Sequence, residues 1–221
     1  MPQALLSQTT MLDAHILYDL DGTLFALPKY LHLWCDAVQA SFGIPSAQAW
    51  DTSEVVKDDG YTFAKHLGAL GVPENRQSAK LIHDFHALIA AKKDDWLFDD
   101  TMPHLEAGLG RKRSILTFGD AEFQQAKIDG VGIHSFFDDI RIASQEMTKS
   151  MHIKELVEQG ETDLILLEDS PNQLQAVYEA GLPVKLIRIR REGQERHTES
   201  HPLDNEAWPV ISTLHELEEA A

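Results

Sequence analysis

Five short apolar runs, each too brief for a helix of its own, punctuate the chain: Ile16–Tyr18, Ser114–Thr117, Ile140–Ala143, Leu164–Leu167 and Val184–Ile189. Segments with helical periodicity lie between the last four. The first can be capped by Asp120, runs through Ile128 and stops at Gly130. A second carries Leu156 and Val157 and ends at Gly160; a third covers Leu174–Ala180 and ends at Gly181. Glycine just past a helical stretch is the residue that most easily adopts the left-handed turn closing a helix. Strands alternating with helices predict an α/β protein, a doubly wound parallel sheet covered on both faces.

The interval between the first two strands breaks this rhythm. A long stretch separates Phe25 from Ser114, and it has helical signals of its own. Leu31, Trp34 and Val38 recur at helical spacing and Gly43 closes their run. Leu81, Ile82, Phe85, Leu88 and Ile89 form a stronger stripe between Asn75 and Lys93. The segment 28–95, Pro28 to Asp95, therefore reads as a helical insertion lying over the sheet as a cap, with 1–27 and 96–221 forming the core. Thr101 and Pro103 open a helix leading back into the second strand.

The same chain carries a formal net charge of −17, which repels phosphate backbones and anionic lipid and argues against nucleic acid or membrane as a partner. An acidic protein handling an anionic substrate needs local positive charge. The single cysteine, Cys35, forms no internal disulfide and reads as a small buried residue. No apolar run has the length of a membrane span and the amino terminus lacks a signal-peptide core, so a cytoplasmic location is expected.

Ligands of open α/β sheets bind at the carboxyl ends of the strands. Those ends supply a short set: Asp19 and Asp21 after the first strand, Thr117, Phe118 and Gly119 at the second, Lys149 after the third, Glu168 and Asp169 at the fourth. Crowded carboxylates cannot all ionise without a cation among them. Mg²⁺, a hard ion that takes one or two carboxylates plus substrate phosphate, meets that need. Thr117 can donate to a phosphoryl oxygen, and Lys149 adds positive charge. Asp19 is the expected nucleophile, forming an acyl phosphate. Asp21 is the expected proton carrier, protonating the leaving oxygen and then activating water. Gly22 permits the sharp turn that presents both acids to one ligand.

YDLDGTLF resembles motif I of the haloacid dehalogenase superfamily, and LTFG, Lys149 and LLEDS resemble its motifs II, III and IV in order. The likeness covers Ile16–Phe25 and about Thr101–Ile189, and the insertion sits where the superfamily's helical (C1) caps sit. The resemblance implies a Rossmann-like core, an aspartyl-phosphate mechanism and Mg²⁺. It also implies a phosphate site at Thr117, Phe118, Gly119 and Lys149. The implied metal site comprises Asp19, Asp21 through its backbone carbonyl, Glu168 and Asp169. Gln173 stands where many members have a further aspartate, and the Glu168–Asp169 pair is similar to the beta-phosphoglucomutase-like branch, whose glutamate helps at the metal. An acid at position 21 opposes dehalogenation, because dehalogenase members lack it.

Lys149 is preferred over Lys154 for motif III. With Ile153, Leu156 and Val157 marking the apolar face of a helix, Lys149 falls roughly 40° from its centre and Lys154 about 100° away. His83 and His86 have helical spacing but no third ligand, and the RHTESH stretch ending at His201 reads as a polar loop. The expected function is Mg²⁺-dependent hydrolysis of a small phosphorylated metabolite. A phosphomutase uses the same aspartates and differs in excluding water. A non-catalytic phospho-ligand binding protein would not need both aspartates. A phospho-accepting receiver gathers similar residues but lacks the long insertion and the DxDGT run.

Overall fold

All four residues of β1 (His15–Tyr18) are buried, as a central strand of a sheet covered on both faces must be. In the computed structural model, which describes residues 14–57, 60–108, 112–193 and 199–221, β1 pairs in parallel on both sides. The other strands are β2 (Arg113–Phe118), β3 (Asp139–Ala143), β4 (Leu164–Glu168), β5 (Val184–Ile189) and β6 (Val210–Ile211). Their order is β3-β2-β1-β4-β5-β6, and every pairing is parallel. The chain winds outward from β1 to β3, then returns to lay β4 against the other side of β1. The carboxyl ends of β1 and β4 thus flank the switch in strand order, where a crevice opens.

Period-two alternation splits the core. Ile16, Tyr18, Ile115, Ile165, Leu167 and Ile187 face one side. Leu17, Leu116, Leu164, Leu166 and Leu186 face the other. The first helices after β1 are α1 (Leu27–Phe42), α2 (Ser46–Val56), α3 (Phe63–Ala69) and α4 (Arg76–Ala91). They are followed by α5 (Thr101–Ala107), α6 (Ala121–Val131), α7 (Lys149–Glu158), α8 (Pro171–Glu179) and α9 (Leu217–Ala220). Helices α7 and α8 cover the Leu17 face through Ile153, Leu156, Leu174 and Val177. Helices α5, α6 and α9 lie on the other, where their apolar residues join those of the inserted helices in one cluster.

Local chemistry sets the helix ends. Asn75 caps α4 in a reciprocal box with Ser78, and Gly43, with φ 72°, closes α1. Asp120 caps α6 through Phe123 N–H, as expected, but the helix does not stop at Gly130; it runs to Val131 and closes on Gly132. Gly130 is a packing residue instead: a Cβ there would lie 2.6 Å from Ile89 Cγ2 on α4. The segments entering and leaving the insertion pair with each other, Ala26 N–H to Trp96 O at 2.7 Å and Phe98 N–H to Leu24 O at 3.1 Å. Cys35 is buried in α1, and among the described residues no helix is long and apolar enough to cross a membrane.

Candidate active site

Asp19 is the first residue past β1, and its N–H still donates to Leu167 O of the neighbouring strand at 2.9 Å. The chain then turns at Gly22, whose φ of 84° suits glycine. Asp19 is 4% exposed, and the carboxylates of Glu168 and Asp169, also buried, come from the end of β4. One oxygen from each of the three lies within 4.8 Å of the others. Lys149, at the start of α7, reaches into the cluster: its Nζ donates to Asp19 Oδ1 at 2.6 Å and to Glu168 Oε2. Thr148 caps that helix, which fixes the direction of Lys149. Lys154 is exposed and faces Glu158.

Electrostatics follow from this crowding. Burial, followed by the charge of Glu168, raises the Asp19 carboxyl to about 7 against the opposing pull of Lys149. Burial and the neighbouring Glu168 and Asp19 likewise push Asp169 well above the carboxylate range. Burial pulls the Lys149 ammonium down, but Asp19 and Glu168 outweigh it and hold it above an ordinary lysine. One ammonium among three carboxylates leaves an excess of negative charge. An all-oxygen donor set of this kind fits a hard divalent cation held by Asp19, Glu168 and Asp169.

Thr117, at the end of β2, is buried, and its Oγ1 has no hydrogen-bond partner. A buried hydroxyl without a partner is costly unless a ligand completes it. Asp19, Asp21, Thr117, Phe118, Gly119, Lys149, Glu168 and Asp169, all foreseen from the sequence, line one cavity of about 510 Å³. Leu27 and Leu31 of α1, with Lys57 and Tyr61 from between α2 and α3, close part of its wall.

Asp21 stands apart from the three-acid cluster. Its carboxylate accepts from Lys127 Nζ at 2.6 Å and 2.5 Å and from Gln124 Nε2 at 3.0 Å. Neither Lys127 nor Gln124 belongs to a motif read from the sequence. The signal available was their position: both fall on the face of α6 that carries Phe123, Ile128 and Val131, where a lysine is out of place. His86 packs edge-on against Phe63 and Phe123, His83 is exposed, and His201 lies over Trp208. Residues 196–198 of RHTESH lie outside the described residues.

Solved structures share this fold over nearly the whole chain. A protein described as a haloacid dehalogenase-like hydrolase from Burkholderia xenovorans LB400 aligns with TM-score 0.69 and 20% identity, covering 94% of this chain and 95% of that one. The HAD-hydrolase YfnB from Bacillus subtilis, solved bound to magnesium, aligns at 0.63 and 16%, covering 94% and 97%. The L-2-haloacid dehalogenase from Xanthobacter autotrophicus, with chloropropionic acid covalently bound, also aligns at 0.63 and 16%, with the same coverage. No protein-family model matches the chain, and no curated protein sequence does.

Proposed function

We propose that this chain, built on the haloacid dehalogenase-like fold, is a Mg²⁺-dependent phosphatase that hydrolyses a small phosphorylated metabolite through an aspartyl phosphate on Asp19. The observation that carries this reading is the convergence of Asp19, Glu168 and Asp169 beside the partnerless hydroxyl of Thr117. Bound there, Mg²⁺ supplies the positive charge that offsets both the carboxylates and the phosphoryl oxygens.

The chain's own residues then have distinct tasks. Thr117 Oγ1 donates to a phosphoryl oxygen, and Lys149 fixes the Asp19 carboxylate by gripping Oδ1. An Asp19 oxygen attacks phosphorus, the phosphorus–ester oxygen bond breaks, and the departing oxygen takes a proton from Asp21. Water next attacks the aspartyl phosphate and gives a proton to Asp21, while the bond from phosphorus to Asp19 breaks. One water is consumed, an alcohol and phosphate leave, and both aspartates regain their starting state. Residues 28–95 act as a cap, with Leu31, Lys57 and Tyr61 walling the leaving-group side from solvent. The cytoplasm is the compartment we assign to the enzyme.

Asp21 favours this chemistry over dehalogenation. Halide departs without a proton, so a dehalogenase has no use for a carboxyl held at that place. The test is a panel of phosphorylated sugars, nucleotides and phospho-acids, together with 4-nitrophenyl phosphate, assayed with Mg²⁺ or excess chelator. Phosphate release that needs the cation and disappears in Asp19→Asn is expected. Undiminished turnover in chelator, or halide release from 2-haloacids with none from phosphate esters, overturns the reading.

A further inference from the structure

Lys127 is wholly buried. Its ammonium spans both oxygens of Asp21 and lies over the ring of Phe123, 4.7 Å from the centroid, with Phe25 at 5.5 Å. A buried ion pair is weak evidence for stability, since an apolar side chain of similar length serves packing as well or better. Burial lowers the Lys127 ammonium below the ordinary lysine range despite Asp21 beside it.

The surroundings are built for it. Gln124 Nε2 donates to Asp21 Oδ2 and, at 2.7 Å, to Phe118 O, so its amide orientation is set by two acceptors. Gly119, with φ 146°, makes room: a Cβ there would stand 2.9 Å from Gln124 Nε2. Lys127 and Gln124, both on α6, therefore converge on the Asp21 carboxylate, and Gly119 leaves room for the Gln124 amide.

We infer that Lys127, with Gln124, is a positioning residue that fixes the proton-carrying carboxylate of Asp21 against the leaving-group side of the cavity. The inference rests on the phosphatase reading and adds a dependence: Lys127 governs the proton-transfer geometry and not the capture of phosphate, which belongs to Thr117 and Lys149. Its loss should slow the leaving-group step more for esters whose leaving oxygen needs a proton than for those that depart as stable anions.

Lys127→Met keeps the length and the contact with Phe123, Lys127→Arg keeps the charge, and Gln124→Leu leaves Lys127 in place. Each is assayed with Mg²⁺ on 4-nitrophenyl phosphate and phenyl phosphate, with inorganic phosphate as competitive inhibitor. In Lys127→Met, kcat/KM for phenyl phosphate, which reports the step that expels the leaving group, should fall at least about tenfold more than kcat/KM for 4-nitrophenyl phosphate, within the range that proton transfer contributes. The inhibition constant of phosphate should change less than about twofold, and Lys127→Arg should recover part of the difference. Equal losses on both esters in Lys127→Met and Gln124→Leu overturn the inference and make the lysine a packing residue. If Lys127→Met does not fold, Gln124→Leu decides by the same ratio. The phosphatase reading fails separately, if the unaltered protein hydrolyses neither ester.

Discussion

Asp19 and Asp21 are two residues apart and have different lysines. Asp19 is tied to Lys149 within the acid cluster, Asp21 to Lys127 on the opposite flank of the cavity. Their substitutions should therefore differ in kind. Asp19→Asn should remove all phosphoenzyme and nearly all turnover. Asp21→Asn should still form the acyl phosphate from 4-nitrophenyl phosphate, then stall for want of a base, so labelled protein accumulates in a rapid-quench experiment. A turnover defect of about 10²–10⁴-fold is expected for an ester with a poor leaving group. Label surviving in Asp19→Asn would reverse the roles. A different residue reports on stability. Burial, reinforced by Lys112 and Arg141 against the pull of Asp138, holds His15 down at about 4, and its Nε2 bonds Ser114 Oγ at 2.8 Å. The unfolded imidazole takes a proton below about 6.5, the folded one only near 4. His15 thus contributes stability above pH 6.5 that is lost as pH falls towards 4, about 1–2 kcal/mol by pH 5 after allowance for screening. Asp19, raised in the fold, works in the opposite sense. The quantity to measure is therefore the difference between the unaltered protein and His15→Gln at each pH by denaturant unfolding. A pH-independent difference would refute the assignment.

At the scale of elements, the contact of α4 with α6 is the most exacting. Gly130 lies in the last turn of α6, where alanine ordinarily gains up to about 1 kcal/mol in propensity. Here the added methyl would meet Ile89 Cγ2 at 2.6 Å, and Ile89 is itself wholly buried. Overpacking of this kind costs about 1–3 kcal/mol, so Gly130→Ala should lower the denaturation midpoint, and an unchanged or higher midpoint would show that α4 yields. The same glycine shows what a sequence conceals. A glycine near the end of a helical run reads as a stop signal, and only the facing isoleucine reveals it as a contact point. The five longer strands were legible because each holds a short run rich in Ile, Leu and Val, and Val210–Ile211 was not, being two residues long at the sheet edge. Helices α2 and α3 escaped separate notice for a related reason: α2 buries only Ala49 and Ser53, too little to mark a stripe. The site residues on strand ends were legible because DLDG, LTFG and LLEDS are contiguous in sequence. Lys127 showed in the sequence only as a lysine on the apolar face of a helix, and its pairing with a residue 106 positions away leaves no local pattern.

The whole molecule carries 17 net negative charges and concentrates three buried carboxylates at the switch point of its sheet. Any salt screens the diffuse charge, so a stabilising effect of Mg²⁺ must be compared with NaCl at equal ionic strength. The specific part depends on pH in a defined direction. At pH 8 the Asp19 carboxyl, raised to about 7, has lost its proton, and its charge adds to the repulsion within the cluster. A cation at 100 times its dissociation constant should then stabilise the fold by about 2.7 kcal/mol, a rise in melting temperature of roughly 5–10 °C for a chain of this size. At pH 6 most Asp19 carboxyls hold a proton that the cation must displace. Apparent affinity should fall about tenfold, removing about 1.4 kcal/mol, close to half of the shift. Melting curves at pH 8 and pH 6, with MgCl₂, with chelator and with matched NaCl, distinguish the cases. Equal shifts with Mg²⁺ and NaCl would reduce the acid cluster to general screening. A Mg²⁺-specific shift as large at pH 6 as at pH 8 would show that Asp19 is not the carboxylate the cation displaces a proton from.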